Sequence, residues 1–326
     1  MKAQFKKLTR GLITGLMLSV AAVGAHAQSL KLGHITPPTH VWHQVGEKIS
    51  ADLAASTDGK MKLAVSPLQK LGNEAQMINL MQAGAQQFGI FTVGGLSNRE
   101  ESFLAWSLPY VFQDVAHATR AANTPAAKEM LKRLEAHGLV GLGYAFAGMR
   151  HVLSLQPVAS ATDLANKKIR SFPSPVYNDW WNANGAAPTA LPLSEVAPSL
   201  TTKLLDAVDI DLDALVGLKF HQQAPNLTLT RHMAFPSVIV VSKKWWDSRS
   251  QADRDLILKV VADAEQWGYQ TAIDADESNL AKAKADGAMI VEADIGSFQA
   301  VAEKVRAQYI ARNPLIADFY AQAKGL

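Results

Sequence analysis

The chain has 326 residues, with 32 basic and 29 acidic side chains, nine histidines and no cysteine. Without thiols it has no disulfide, no thiolate nucleophile and no cysteine-bound metal. The charge is nearly balanced and no basic stripe with interleaved aromatics occurs, which excludes a nucleic-acid surface.

Residues 1–27 have the three parts of a secretory signal peptide. Lys2, Lys6, Lys7 and Arg10 form a basic head, Gly11–Gly24 is apolar, and Ala25-His26-Ala27 is a small-x-small cleavage site. The apolar stretch is shorter than the ~20 residues a bilayer span needs, and no cysteine is present to carry a lipid anchor. Export to the periplasm with loss of the leader is therefore expected. The leader holds four of the 32 basic residues and no acid, so residues 28–326 carry 28 basic against 29 acidic groups. A chain of this length is read as two lobes rather than one.

Strand and helix patterns then alternate, the signature of an α/β architecture. Ser29–His34 reads as a strand and Ile35–His40 as a loop; Trp42, Val45, Ile49 and Leu53 follow at helical spacing. After the turn Thr57-Asp58-Gly59 come the strand Met61–Val65, the helix Glu74–Ala85 and the short buried strand Phe88–Phe91. A helix near Ala126–His137 precedes the strand Leu139–Phe146. Further strands are expected around His151–Leu155 and Lys168–Phe172, and helices around Val176–Asn184 and Ser194–Leu205. Val208–Asp211, Leu227–Thr230 and Val238–Val241 read as strands. Ser250 with Asp253 caps a proline-free helix running to Ala285, where Gly287 ends it. Its ~35 residues give roughly 50 Å, long enough to cross both lobes, with Gly268 as a bend point.

Two arginines stand out. Arg170 lies in the alternating run Lys168–Phe172 closed by Pro173 and Pro175, and Arg150 ends the apolar run Gly138–Met149. A guanidinium at a strand end is a fixed fork of donors for a carboxylate. The pair, in an exported chain, points to capture of small organic acids. Asp209, Asp211 and Asp213 alternate and accept hydrogen bonds from ligand hydroxyls, hold a cation beside the carboxylate, or form a solvated strand end with Asp213 capping the next helix; Asp211 is the one expected at a cleft. His40-x-x-His43 is half a zinc site at most, and no metal or cofactor is expected. Of Trp180 and Trp181, neighbours ~100° apart on a helix, one is expected in the core and one at a groove.

The runs Pro67–Glu74, Leu108–Asp114, Ala116-His117-Ala118, Lys168-Ile169-Arg170, Ser194-Glu195-Val196, Thr230-Arg231-His232 and Lys243–Asp247, in that order, resemble the DctP-type solute-binding proteins of TRAP transporters, receptors for organic acids outside the cytoplasm. The resemblance covers essentially residues 28–326. It implies a two-lobed periplasmic-binding-protein fold of the type II-like kind with hinge crossovers near Gly148 and Pro236. Lobe I would comprise 28–149 with 237–285, and lobe II 150–236 with 286–326. It also implies a monomeric receptor that closes around a carboxylate and delivers it to a permease of one small and one large membrane subunit, driven by an ion gradient. Arg170 maps onto the family's carboxylate clamp and Arg150 onto its frequent second arginine. Phe172 lies two residues from the clamp, and His34, Trp42, Phe91 and Thr92 flank strand-end loops of the kind that border ligands in this fold.

The chain departs from the family pattern at Asn166, where glycine is frequent, and across Leu205–Asp211. Ile210 and Thr92 stand where the sialic acid branch has asparagine and glutamate ligands, so sialic acid is not expected. Two other classes compete: a receptor for an ATP-driven importer, and a periplasmic hydrolase. The chain has neither a Gly-x-Ser-x-Gly elbow nor a His-Glu-x-x-His helix, and it is read as a receptor, not an enzyme.

Overall fold

A computed structural model describes residues 28–326; the expected signal peptide, residues 1–27, lies outside them. Ten strands form a continuous hydrogen-bonded array in the order β2-β1-β3-β9-β4-β7-β5-β6, with β8 on β4 and β10 on β8. They are β1 Gln28–Gly33, β2 Met61–Ser66, β3 Phe88–Thr92, β4 Leu139–Ser154, β5 Lys168–Ser171, β6 Ala187–Ala190, β7 Ala207–Asp211, β8 Asn226–Thr228, β9 Ala234–Ser242 and β10 Met289–Val291. Helices cover the array, as the alternating pattern predicts.

The sequence suggests separate strands on either side of Arg150, but β4 is one 16-residue strand. Its first half pairs antiparallel with β9, and its last residues pair with β7 and β8. Two irregularities, at Gly141/Gly143 and Phe146/Met149, let it turn from one set of partners to the other. Gly148 sits in the second with φ +115°, and a Cβ there would lie 2.7 Å from Asp276 Oδ1. Each irregularity frees a backbone N–H, and a half-buried carboxylate accepts it. Tyr144 N donates to Glu265 Oε1 (2.7 Å) and Met149 N to Asp276 Oδ1 (3.2 Å).

Both carboxylates come from the long helix Gln251–Ala285, whose start is capped by Ser250 Oγ accepting from Asp253 N. This helix packs on β4, on Val41–Ser56 and on Leu212–Leu218, so it spans elements from both ends of the array. Gly268, expected as a bend point, instead permits close approach: a Cβ would meet Val45 Cγ2 at 2.7 Å. Trp180 and Trp181 are both buried, because His232 covers the second indole, ring centroids 5.0 Å apart. The helices Gly296–Arg312 and Pro314–Lys324 were not anticipated, although Phe298, Ala302, Val305 and Tyr309 recur at helical spacing. The first packs on Pro175–Ala183 and the second on Pro125–Arg133 and Glu101–Ser107.

Candidate functional site

The β4–β7 register builds the polar centre. Arg150 faces Asp211 directly, and Asp209, two residues back on β7, shares that face. Arg150 donates from Nη1 to Asp211 Oδ2 (2.9 Å), from Nε to Asp209 Oδ1 and from Nη2 to the Asp209 carbonyl. Its guanidinium lies against the rings of Phe235 and Phe172, 4.2 and 4.9 Å from their centroids. Asp209 also meets His232 Nε2 at 3.2 Å. Burial pushes the Asp209 carboxyl up, but Arg150 and His232 outweigh it and hold it at about 2.

Asp211 does two further things. Its Oδ1 accepts from Ala214 N (2.8 Å), capping the helix Leu212–Leu218, and lies 3.5 Å from His40 Nε2. The cap was expected from Asp213, which instead accepts from Val41 N (2.8 Å) at the start of another helix. Burial opposes ionisation of Asp211, yet His40 and Arg150 lower its pKa below the usual carboxylate value.

Arg170 is different. Its Nε donates to Leu191 O (3.1 Å) and its guanidinium stacks 4.2 Å from the Phe172 ring centroid. It is 3 % exposed, and Nη1 is buried without a hydrogen-bond partner. Burial, reinforced by Arg150, lowers its pKa to about 10, so it stays charged at neutral pH. It borders a cavity of about 240 Å³ and, on the other side, a narrow one of about 10 Å³ that reaches Arg150 and Asp211.

Of the sequence candidates, Arg170, Phe172, Arg150 and Asp211 therefore meet at these cavities. The other four do not line them. Trp42 is buried and stacked on Phe235 (5.0 Å), and Phe91 is in the core. His34 is buried, its Nε2 3.0 Å from His43 Nδ1 and its Nδ1 2.9 Å from Thr36 Oγ1. Burial, and then His43 and His40, lower its pKa to about 3. No group of three or more potential metal ligands occurs among the described residues.

Thr92 acts through Glu74. Its N and Oγ1 donate to the two Glu74 carboxylate oxygens (2.6 and 2.8 Å), which fixes Glu74 at the larger cavity. Burial raises the Glu74 carboxyl to about 7, against the hydrogen bonds from Thr92. Glu74 stands in the run Pro67–Glu74, where no local pattern marks it as a cavity residue. Leu191, Leu193 and Phe235, which also line these cavities, lie in segments without periodicity and carry no sequence signal.

A family model described as bacterial extracellular solute-binding protein, family 7 (DctP), matches residues 32–313. The chain is 26% identical over 318 residues to the 2,3-diketo-L-gulonate-binding periplasmic protein of Escherichia coli, covering 97% of each. A TRAP periplasmic solute-binding protein from Citrobacter koseri, solved with bound D-glucuronate, is 29% identical. It superposes with a TM-score of 0.84 over 90% of this chain and 98% of that one. The Xanthobacter autotrophicus counterpart with β-D-galacturonate is 25% identical, with a TM-score of 0.87 over 91% of this chain and 99% of that one.

Proposed function

From the premise that this chain belongs to the DctP family of bacterial extracellular solute-binding proteins, we propose that Arg170 clamps the carboxylate of an organic acid that the protein delivers to TRAP membrane subunits. The chain is an extracytoplasmic receptor of the TRAP type, and such receptors are not catalysts. The observation that carries the Arg170 assignment is its buried, charged and unpartnered Nη1. A buried charge without a partner is costly, and a carboxylate supplies both the charge and the acceptor lone pairs.

Arg150, by contrast, already faces two aspartates, and its role in this reading is to hold β4, β7 and Phe172 in place beneath the ligand. Closure follows from the same electrostatics: elements on either side of β4 gain from approaching only when an anion sits at Arg170. The two lobes are taken to meet near Gly148 and Pro236, and the C-terminal helices, which contact both groups of elements, act as a common frame. A monomer suits a receptor that must dock on a permease.

Arg170→Ala and Arg170→Lys test the clamp by titration calorimetry with a panel of organic acids. The alanine variant should lose measurable binding, and the lysine variant should be strongly weakened, because it lacks the planar fork. Wild-type affinity in the alanine variant would remove Arg170 from the site.

A further inference from the structure

The relatives solved with uronates carry ligands that have a hydroxyl on nearly every carbon, yet the walls around Arg170 offer little to hydroxyls. One side of the larger cavity is Ile35, Phe172, Pro173, Leu191, Pro192 and Leu193. Of the polar residues besides Arg170 that also line it, the Gln69 amide and the Asn73 amide nitrogen keep no partner among the described residues, and the remaining groups are committed. Asn73 Oδ1 accepts from Gln76 N (3.0 Å), and both Glu74 oxygens accept from Thr92. In the narrow cavity Asp211 serves Arg150 and Ala214, and Thr36 Oγ1 pairs with His34. A ligand hydroxyl on the apolar side would be stripped of water without a replacement partner, while a hydrocarbon surface would be favoured there.

Charge narrows the class further. Arg150 lies between two carboxylates, which leaves Arg170 as the cation of this cavity whose donor is unmet. One carboxylate satisfies it, whereas a second would be brought towards Glu74 or Asp211. The cavity of about 240 Å³ has room for a small ring or a short branched chain.

Resting on the clamp reading, we propose that the cargo is a compact monocarboxylate with a hydrocarbon body, a branched aliphatic or single-ring acid carrying few hydroxyls, rather than a sugar acid or a dicarboxylate. The test is titration calorimetry of the exported chain with 4-methylpentanoate, cyclohexanecarboxylate and phenylacetate against D-glucuronate, D-galacturonate and succinate. At least one apolar acid should bind ten-fold or more tighter than every polar one. Leu191→Asn should reverse part of that preference. Arg170 is held by the Leu191 carbonyl and not by its side chain, so the clamp is kept, and an unchanged melting temperature confirms the fold.

A uronate or succinate that binds tighter than all the apolar acids, and is lost in Arg170→Ala, would overturn the cargo class and leave the clamp standing. Binding that survives in Arg170→Ala removes the clamp, and binding of no acid by the wild type removes both.

Discussion

Arg150 and Arg170 are twenty positions apart in sequence and chemically identical, yet their surroundings give them opposite assignments. Arg150 is bound to Asp209 and Asp211 in a place with almost no solvent. Replacing it by methionine should destabilise the fold by about 3–5 kcal/mol, because two buried carboxylates lose their partner. Chemical denaturation measures this, and a loss of binding without a loss of stability would instead place Arg150 on the ligand. Glu74 adds a pH dependence. Its carboxyl, raised by burial to about 7, faces Arg170 and Thr92. A second anion at Arg170 raises that pKa further, so binding takes up protons. Affinity for a carboxylate should therefore fall as pH rises through 7, and Glu74→Gln, which keeps an acceptor for Thr92 N, should flatten the profile.

At the scale of elements, the irregular strand β4 and the long helix depend on each other. Asp276→Ala would leave the Met149 amide buried and unpaired, a loss of about 1–3 kcal/mol. Gly148→Ala should be as damaging, since φ +115° strains any Cβ and that Cβ would press on Asp276 Oδ1. Equilibrium unfolding of the two variants checks this, and a wild-type midpoint in both would show that the irregularity is not held from the helix. The sequence makes the long helix legible, through its serine cap, its freedom from proline and its terminal glycine. Arg170 is legible as well, because Lys168–Ser171 alternates and prolines close it. The continuity of β4 is not: Gly148 and Arg150 look like an end, and only Asp276, more than a hundred residues away, explains why the strand goes on. The apolar wall at Leu191 and Leu193 is equally hidden, because loop residues that line a cavity follow no period. Arg150 is expected at a strand end but lies inside β4, and its engagement depends on a register with β7 that no local pattern states.

For the whole molecule, buried groups of opposite sign set how stability varies with pH. His34 and His151 are buried and held neutral, each with a pKa lowered by burial to about 3. Their contribution is complete above the unfolded value of 6.5 and is lost as pH falls from there towards 3. Each removes roughly 1 kcal/mol per pH unit in that window, while Glu74, raised to about 7, works in the opposite direction between 7 and 4.5. His40 also has the opposite sign: burial lowers its pKa, but Asp213 and Asp211 prevail and raise it. Its contribution is present below 6.5 and fades as pH rises through the folded value. Between pH 7 and pH 5, His151→Gln should remove a destabilisation towards acid, so its melting temperature at pH 5 relative to pH 7 should be higher than the wild type's. An identical slope in that variant would remove His151 from the account.

β4 belongs to partners on both sides at once, and this limits how such a receptor acquires a new cargo. A genetic crossover within that strand would join half of it to β9, β7 and β8 neighbours drawn from another lineage, together with a helix whose carboxylates fall at the wrong bulges. Exchange of whole pockets between relatives is thereby discouraged. Diversification is left to single substitutions at walls such as Leu191, changed one codon at a time around an arginine that stays.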